Sequence, residues 1–339
     1  MLGCCGQLAY TSVSPMNDAI GGYFELETPF RGQLYPSALG YNSARYAFEA
    51  LLGEGGVRRV YIPWYTCGTM VEAAQRSGVG IERYCLDEHL EPVGLPELGE
   101  AERLLYVNYF GYKAGFIEQE LLPRFPGKLI ADHAQALFSK PHTGVPTLYS
   151  PRKFLGVPDG GWLLNAPTGL QPLPSTPSKG RFAALLGRLE DGPEAWYPAY
   201  AQVEAGICEQ GPQGMSSLTA RWLSSIDYTT TAQRRSANLA QVHSALSDLN
   251  QFEVPLHAGL APMCYPLLLE QGEQADRVRS ELARQRIYLA TYWKDVLEAD
   301  GRCEVAKAWA RYMLPLPIDQ RYGPEHMVRL ITAVDQALN

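Results

Sequence analysis

The stretch KLIADHAQALFSKPHTGVPTLYSPRKFLGVPDGGWLL, residues 128–164, carries three short apolar runs, LIA, TLY and GWLL, separated by polar and turn-forming residues. Runs of this length bounded by Gly, Pro, Asn and Asp read as strands. The first ends on Asp132, where an ionised carboxylate needs either solvent or a partner. The second leads through Ser150 to Lys153, with Asp159-Gly160-Gly161 beyond it. Taken alone, Ser-Pro-Arg-Lys reads as an exposed basic turn, a phosphorylation site or a weak nucleic-acid contact. An acid and an amine at neighbouring strand ends open a second reading.

Working outward, VRRVYIP, TCGTMVEAAQRS, GIERYC and RLLYVNYFG alternate strand-sized runs with helical patterns. Such alternation predicts an α/β fold with a mostly parallel sheet covered on both faces, whose ligands sit beyond the carboxyl ends of the strands. Further upstream, in YNSARYAFEALLGEGG, Ala44, Ala47, Phe48 and Leu51 fall at helical spacing, and glycines close the helix after Leu52. Asn42 or Ser43 is the natural N-cap. That helix start offers backbone N–H groups and a positive dipole end to a phosphate, or is simply a capped helix. This stretch alone leaves both open.

Downstream, residues 166–200 are dense in Pro and Gly and read as a long surface excursion, followed by one long helix through MSSLTARWLSSIDYTTTAQRRSANLAQVHSALSDL. MCYPLLL, EQADRVRSELARQR, RYMLPLP and GPEHMVRLITAVDQAL then give the element order of a small α+β domain. The expected organisation is a large domain over 15–235 and a small C-terminal domain over 236–339.

The formal net charge of −7 argues against a phosphate-backbone surface, so nucleic acid is not an expected partner. No apolar stretch reaches membrane-spanning length, and MLGCCGQLAY lacks the plan of a secretory signal, so a cytoplasmic protein is expected. The seven cysteines are scattered without a CxxC pair, which predicts neither a disulfide framework nor a zinc site. The histidines show no helical metal-site spacing, so no metal is expected.

Asp132, Lys153 and the helix start at Ser43 together supply what pyridoxal 5′-phosphate requires: an amine for its aldehyde, an acid for its ring nitrogen and N–H donors for its phosphate. IGGYFELE, YNSARYAFEALL, VYIPWYTCGTMVEAA, LIADHAQALF, YSPRKFLGVPDGGWL and LPLPIDQRYG, in this order, resemble the DegT/StrS sugar aminotransferases, a family of fold-type I pyridoxal-phosphate enzymes. The resemblance runs from about residue 18 to the C-terminus. Its most specific parts are Asp132-x-x-Gln135 and the lysine followed by a GG pair.

The resemblance implies that Lys153 is the Schiff-base lysine and proton carrier and that Asp132 holds the pyridine nitrogen protonated. It also implies that Gln135 lies beside the phenolic oxygen and that Ser43, Ala44, Arg45 and Ser150 receive the phosphate. Arg45 reads equally as a phosphate or substrate contact and as a solvated first-turn arginine. His133 should point away from Asp132, on the opposite side of an extended backbone. Asn108 and Tyr109 are candidate substrate contacts, with strand-end packing as the alternative.

Three positions depart from the family pattern. Cys67 stands where relatives stack an aromatic residue on the cofactor ring, leaving Trp64, Tyr65 or the thiol itself to face it. Ser150 lies closer to the lysine than the family's serine, and Ala44 replaces a glycine. A divergent branch is implied: an aminotransferase moving an amino group, from glutamate, to a keto-sugar or related carbonyl acceptor. It would act as a homodimer with interfacial sites near Ser216 and Ser217. The alternatives are another pyridoxal-phosphate reaction, elimination or group exchange with Cys67 taking part, and a non-catalytic binding or regulatory protein. Lys153 itself argues against the dehydratase branch, where histidine replaces it.

Overall fold

The computed structural model describes residues 20, 22–54, 56–298 and 303–338; Cys4, Cys5 and residues 15–19 of the expected large domain lie outside the described residues. Strands β1 (Leu39–Tyr41), β2 (Arg59–Pro63), β3 (Gly80–Leu86), β4 (Pro92–Val93), β5 (Glu102–Val107), β6 (Leu129–His133), β7 (Thr147–Tyr149) and β8 (Gly161–Leu164) form one sheet. Their order is β1-β8-β7-β6-β5-β2-β3-β4. The pairs among β2, β3, β5, β6 and β7 are parallel, whereas β1, β4 and β8 join antiparallel. β8 must turn back on β7 because the link through residues 150–160 holds no crossover helix.

From β2 the chain moves outward to β3, then returns to place β5 on the other side of β2. That reversal opens a crevice at the carboxyl ends of β2 and β5, the place where open α/β sheets take ligands. Each central strand is buried on both faces. Leu105, Ile130, Leu148 and Leu163 pack with Phe48, Leu51 and Met70 of α1 (Ala44–Glu54) and α2 (Gly68–Arg76). Leu104, Tyr106, Leu129 and Ala131 face the larger core. The two-residue period therefore sends Asp132 to the α1/α2 side with Ile130, and His133 to the other with Ala131.

The β5–β6 crossover holds α3 (Ala114–Phe116), a π turn and α4 (Leu122–Arg124). Residues 166–200 are more ordered than their composition suggests: α5 (Ala183–Asp191) and α6 (Pro193–Glu209) form a helical hairpin. Gly192, at φ 90°, makes the turn, and Pro193 occupies the first helical position, where it costs no hydrogen bond. A side chain at Gly187 would lie 2.0 Å from the Trp196 ring, so this glycine lets the two helices meet. Pro and Gly upstream hid the helix-forming run AALLGRLED.

The expected single long helix is two, α7 (Ser217–Ser224) and α8 (Tyr228–Leu246). Asp227 interrupts it by accepting the Thr230 N–H at 2.9 Å as the cap of α8. The expected domain division at 235/236 falls inside α8. The C-terminal elements are β9 (Tyr265–Leu268), α9 (Gly272–Arg284), α10 (Glu304–Tyr312), β10 (Met313–Leu316) and α11 (Pro324–Leu338), with β9 and β10 antiparallel. Their core is continuous with that on the His133 face of the large sheet.

The cysteine expectation is corrected. Cys85 on β3 and Cys303 before α10 are joined in a disulfide across a sequence separation of 218. Spacing cannot reveal a bond that depends on α10 packing against β3. Cys264 is a buried free thiol, Cys67 is half-buried and Cys208 is exposed. Among the described residues no helix is long and apolar enough to cross a membrane, and no group of three or more His, Cys, Asp or Glu is placed to hold a metal.

Candidate active site

Asp132 is the penultimate residue of β6, near the β2/β5 crevice, and is 5% exposed. Its Oδ1 accepts the Ala134 N–H at 2.8 Å. Burial raises its pKa, while the Lys153 ammonium and the Ala134 N–H pull it back down. The fold thus holds a carboxylate whose charge is incompletely compensated, and a cationic heterocycle would relieve it.

Two buried amides flank it. Gln135 Oε1 accepts the Phe110 N–H at 3.1 Å, and Asn108 Oδ1 accepts the Lys113 N–H at 2.8 Å. Both carbonyl oxygens are occupied, and the Gln135 Nε2 and Asn108 Nδ2 donors are buried without a partner. Phe110, between them, sits at φ 55°, a backbone conformation a bulky residue adopts only where its surroundings impose it.

Lys153 closes the 3-10 turn Pro151–Lys153 and is exposed, while Ser150 ahead of it is buried. The glycine pair explains how this turn meets α1. Gly160 N–H donates to Asn42 O at 2.9 Å, and Gly160 lies against Pro151, Met215 and Thr219. A Cβ on Gly161 would fall 2.2 Å from Ala44 N, on backbone that cannot yield. Gly161→Ala is therefore expected to displace the α1 N-terminus, lowering stability by about 2–4 kcal/mol and phosphate affinity by at least ~10-fold. Thermal melts and titration with pyridoxal phosphate check this.

Ser43 caps α1, its Oγ accepting the Arg45 N–H at 3.3 Å. The Arg45 side chain runs to α6, where its Nη1 lies 2.6 Å from Cys208 Sγ. Arg152 joins the same cluster by pairing with Glu204. The hairpin is also fastened to the helix start by the Tyr46 hydroxyl, whose single proton is shared between the carbonyls of Ile207 and Cys208, both at 2.8 Å. Sequence reading missed this role of Arg152 because its partner belongs to a helix hidden in a Pro/Gly-rich stretch. Ser216 is spent on structure: it caps α7 and bonds Asp159 at 3.1 Å, which leaves Ser217.

Trp64 and Tyr65, the aromatic residues near Cys67, are both engaged with other side chains. Tyr65 is buried and stacks on Tyr109 at 5.6 Å, and Trp64 lies under the Arg83 guanidinium at 4.4 Å. Cys67 Sγ rests 3.1 Å from Thr69 Oγ1. Tyr109, the other candidate substrate contact, is fully buried, and its hydroxyl donates to Tyr65 O at 2.7 Å.

His133 faces away from Asp132, as its position on the strand requires. Tyr149 gives its hydroxyl proton to Ser139 O at 2.7 Å, so His133 Nδ1, 3.2 Å from that hydroxyl, is the donor. Burial pushes the His133 pKa down to about 3. With the folded value below the unfolded one, its contribution to stability is full above about pH 6.5 and drains away as pH falls toward 3. Its ring resonances in NMR should stay those of the neutral imidazole from pH 8 to 5.

No family model matches the chain, and no curated protein matches it in sequence. Solved structures do. The aminotransferase TlmJ from Streptoalloteichus hindustanus superposes with a TM-score of 0.63 at 19% identity, covering 89% of this chain and 86% of that one. The apo form of the putative sugar aminotransferase Spr1654 from Streptococcus pneumoniae gives 0.64 at 16% identity, with the same coverage. DesV from S. venezuelae, solved in complex with a ketimine intermediate, gives 0.61 at 22% identity over 89% of this chain and 85% of that one. The chain has the fold of these transferases, the α/β fold type I expected from its sequence.

Proposed function

We propose that the protein is a pyridoxal-phosphate-dependent aminotransferase that moves an amino group, from glutamate, to a keto-sugar or related carbonyl acceptor in polysaccharide or secondary-metabolite synthesis. One observation carries the reading: a buried, under-compensated Asp132 within the field of the Lys153 ammonium, with the unpartnered Gln135 Nε2 three residues along the chain. Asp132 and Gln135 fit the cofactor, because the buried carboxylate and the unpartnered Nε2 each have a deficit it would fill. Asp132 would hold the ring nitrogen, Gln135 Nε2 would donate to the phenolic oxygen, and Ser43, Ala44, Arg45 and Ser150 would surround the phosphate at the dipole end of α1. Bound there, pyridoxal phosphate supplies an electron sink for the substrate carbon.

The chain's own residues do the rest. Lys153 would hold the cofactor through its amine and, once displaced, would take and return the proton at its Nζ. Asp132 would keep its charge toward the ring nitrogen, and Asn108 Nδ2, buried without a partner, would be available to a substrate oxygen. Cys67 would offer the ring a small, polarisable thiol in place of an aromatic face.

A homodimer with sites at the interface goes with this reading, Ser217 being the residue offered to a neighbour's phosphate. So do a large domain over 15–235, a small one over 236–339, and work in the cytoplasm on small molecules. The test is spectroscopic. Purified protein mixed with pyridoxal phosphate should bind it with visible absorbance, and L-glutamate should then bleach that band. A protein that takes up none of the cofactor ends the proposal.

A further inference from the structure

The motif LPLPIDQRYG, residues 314–323, takes no part in the site described above, yet the structure leads it to the lysine turn. Gln320 Nε2 donates to the carbonyl of Phe154, the residue after Lys153, at 2.7 Å. Arg235 of α8 donates to the same carbonyl through Nη2 at 3.4 Å, and its guanidinium lies over the Phe154 ring, 4.6 Å from the centroid. Arg235 Nε donates to Gln320 Oε1 at 2.9 Å, and Nη1 donates to the carbonyls of Pro262 and Met263 at 2.9 and 3.2 Å. Met263 N–H in turn donates to Phe110 O at 2.9 Å, and Phe110 N–H is the group held by Gln135.

Arg235 is 1% exposed. Burial brings its pKa down to about 10, with Asp319 acting on it in the opposite direction, so it stays charged at neutral pH. A buried cation is costly unless its donors are used, and an apolar residue would fill the space at less cost. Here the fork is used on three separate segments at once. A lysine keeps the charge but cannot reproduce a fixed planar fork.

We infer that Arg235, with Gln320, is a positioning residue for Lys153, fixing the main chain of the lysine turn from the C-terminal half of the protein. Lys153 is itself exposed, so the reach of its amine depends on where its backbone is held. The functional part of this inference rests on the role proposed above for Lys153; the clamp on Phe154 does not.

The test uses the full chain without cofactor, in two variants: Arg235→Lys and Gln320→Met. Gln320 is half-buried, so its replacement leaves a protein that folds. Hydrogen exchange followed by mass spectrometry should show amides of residues 153–157 exchanging at least ~10-fold faster in both variants, with β6 and α1 unchanged. Covalent capture of added pyridoxal phosphate should slow by a similar factor, and kcat should fall about 10-fold or more with the donor KM within about 3-fold. Unchanged local exchange in folded Gln320→Met, or a uniform acceleration along the whole chain, overturns the inference. Local loosening with capture rate and kcat unchanged overturns the positioning role. A wild-type chain that captures no cofactor defeats the proposed function instead, and the exchange map, which needs no cofactor, tells the two failures apart.

Discussion

Replacing Lys153 with alanine should leave a folded protein, somewhat less stable at pH 7 for losing the ammonium that offsets part of the Asp132 charge, that transfers amino groups at least about 10³-fold more slowly. The side chain is exposed at the end of a short turn, and the turn's own hydrogen bond, Lys153 N–H to Ser150 O at 3.2 Å, survives the substitution. Asp132, Gln135 and the α1 N-terminus remain in place, so pyridoxal phosphate should still bind, but reversibly and removable by dialysis. A stopped assay with glutamate and the absorbance of the dialysed protein give the two readings. Retained covalent capture in this variant would transfer the role to another amine.

Asp132→Asn should separate stability from activity in opposite directions. Because burial raises the Asp132 pKa in the folded chain, the fold binds its proton more tightly than the unfolded chain does. The contribution of Asp132 to stability is therefore greatest below the ordinary aspartate pKa and declines as pH rises through the folded value. Asparagine removes that cost and keeps the bond to the Ala134 N–H. The cofactor-free variant should melt at or above wild type at pH 7, by roughly 1–3 °C. Activity should drop at least about 10³-fold, since a neutral amide cannot hold the ring nitrogen protonated. A lower melting temperature would show that the carboxylate is compensated in the free protein, contrary to the electrostatics described above.

Much of this site is visible in the sequence because it is governed by short-range rules. A strand alternates faces, so Asp132 and His133 had to part company, and they do. The glycine pair after the lysine stands out in the sequence, and the structure gives its second member a reason, since Gly161 lies against the backbone of Ser43 and Ala44. What stayed hidden depends on contacts between distant segments. Tyr109 reads equally as a substrate contact and as strand-end packing, and only the fold puts its hydroxyl on Tyr65 O. The hairpin of α5 and α6 is concealed by its prolines, and with it the Arg152–Glu204 pair. Arg235 reads as half of an unremarkable Arg-Arg pair until α8 carries it to Phe154.

The bond between Cys85 and Cys303 has a consequence for anyone producing the protein. Disulfides persist in oxidising surroundings and are kept open by the thiol pools of a reducing cell interior. The same polypeptide made in two hosts, or in two compartments of one host, would then differ by two hydrogens. Intact-mass measurement on alkylated samples would read that difference directly, making the molecule a chemical record of where it folded.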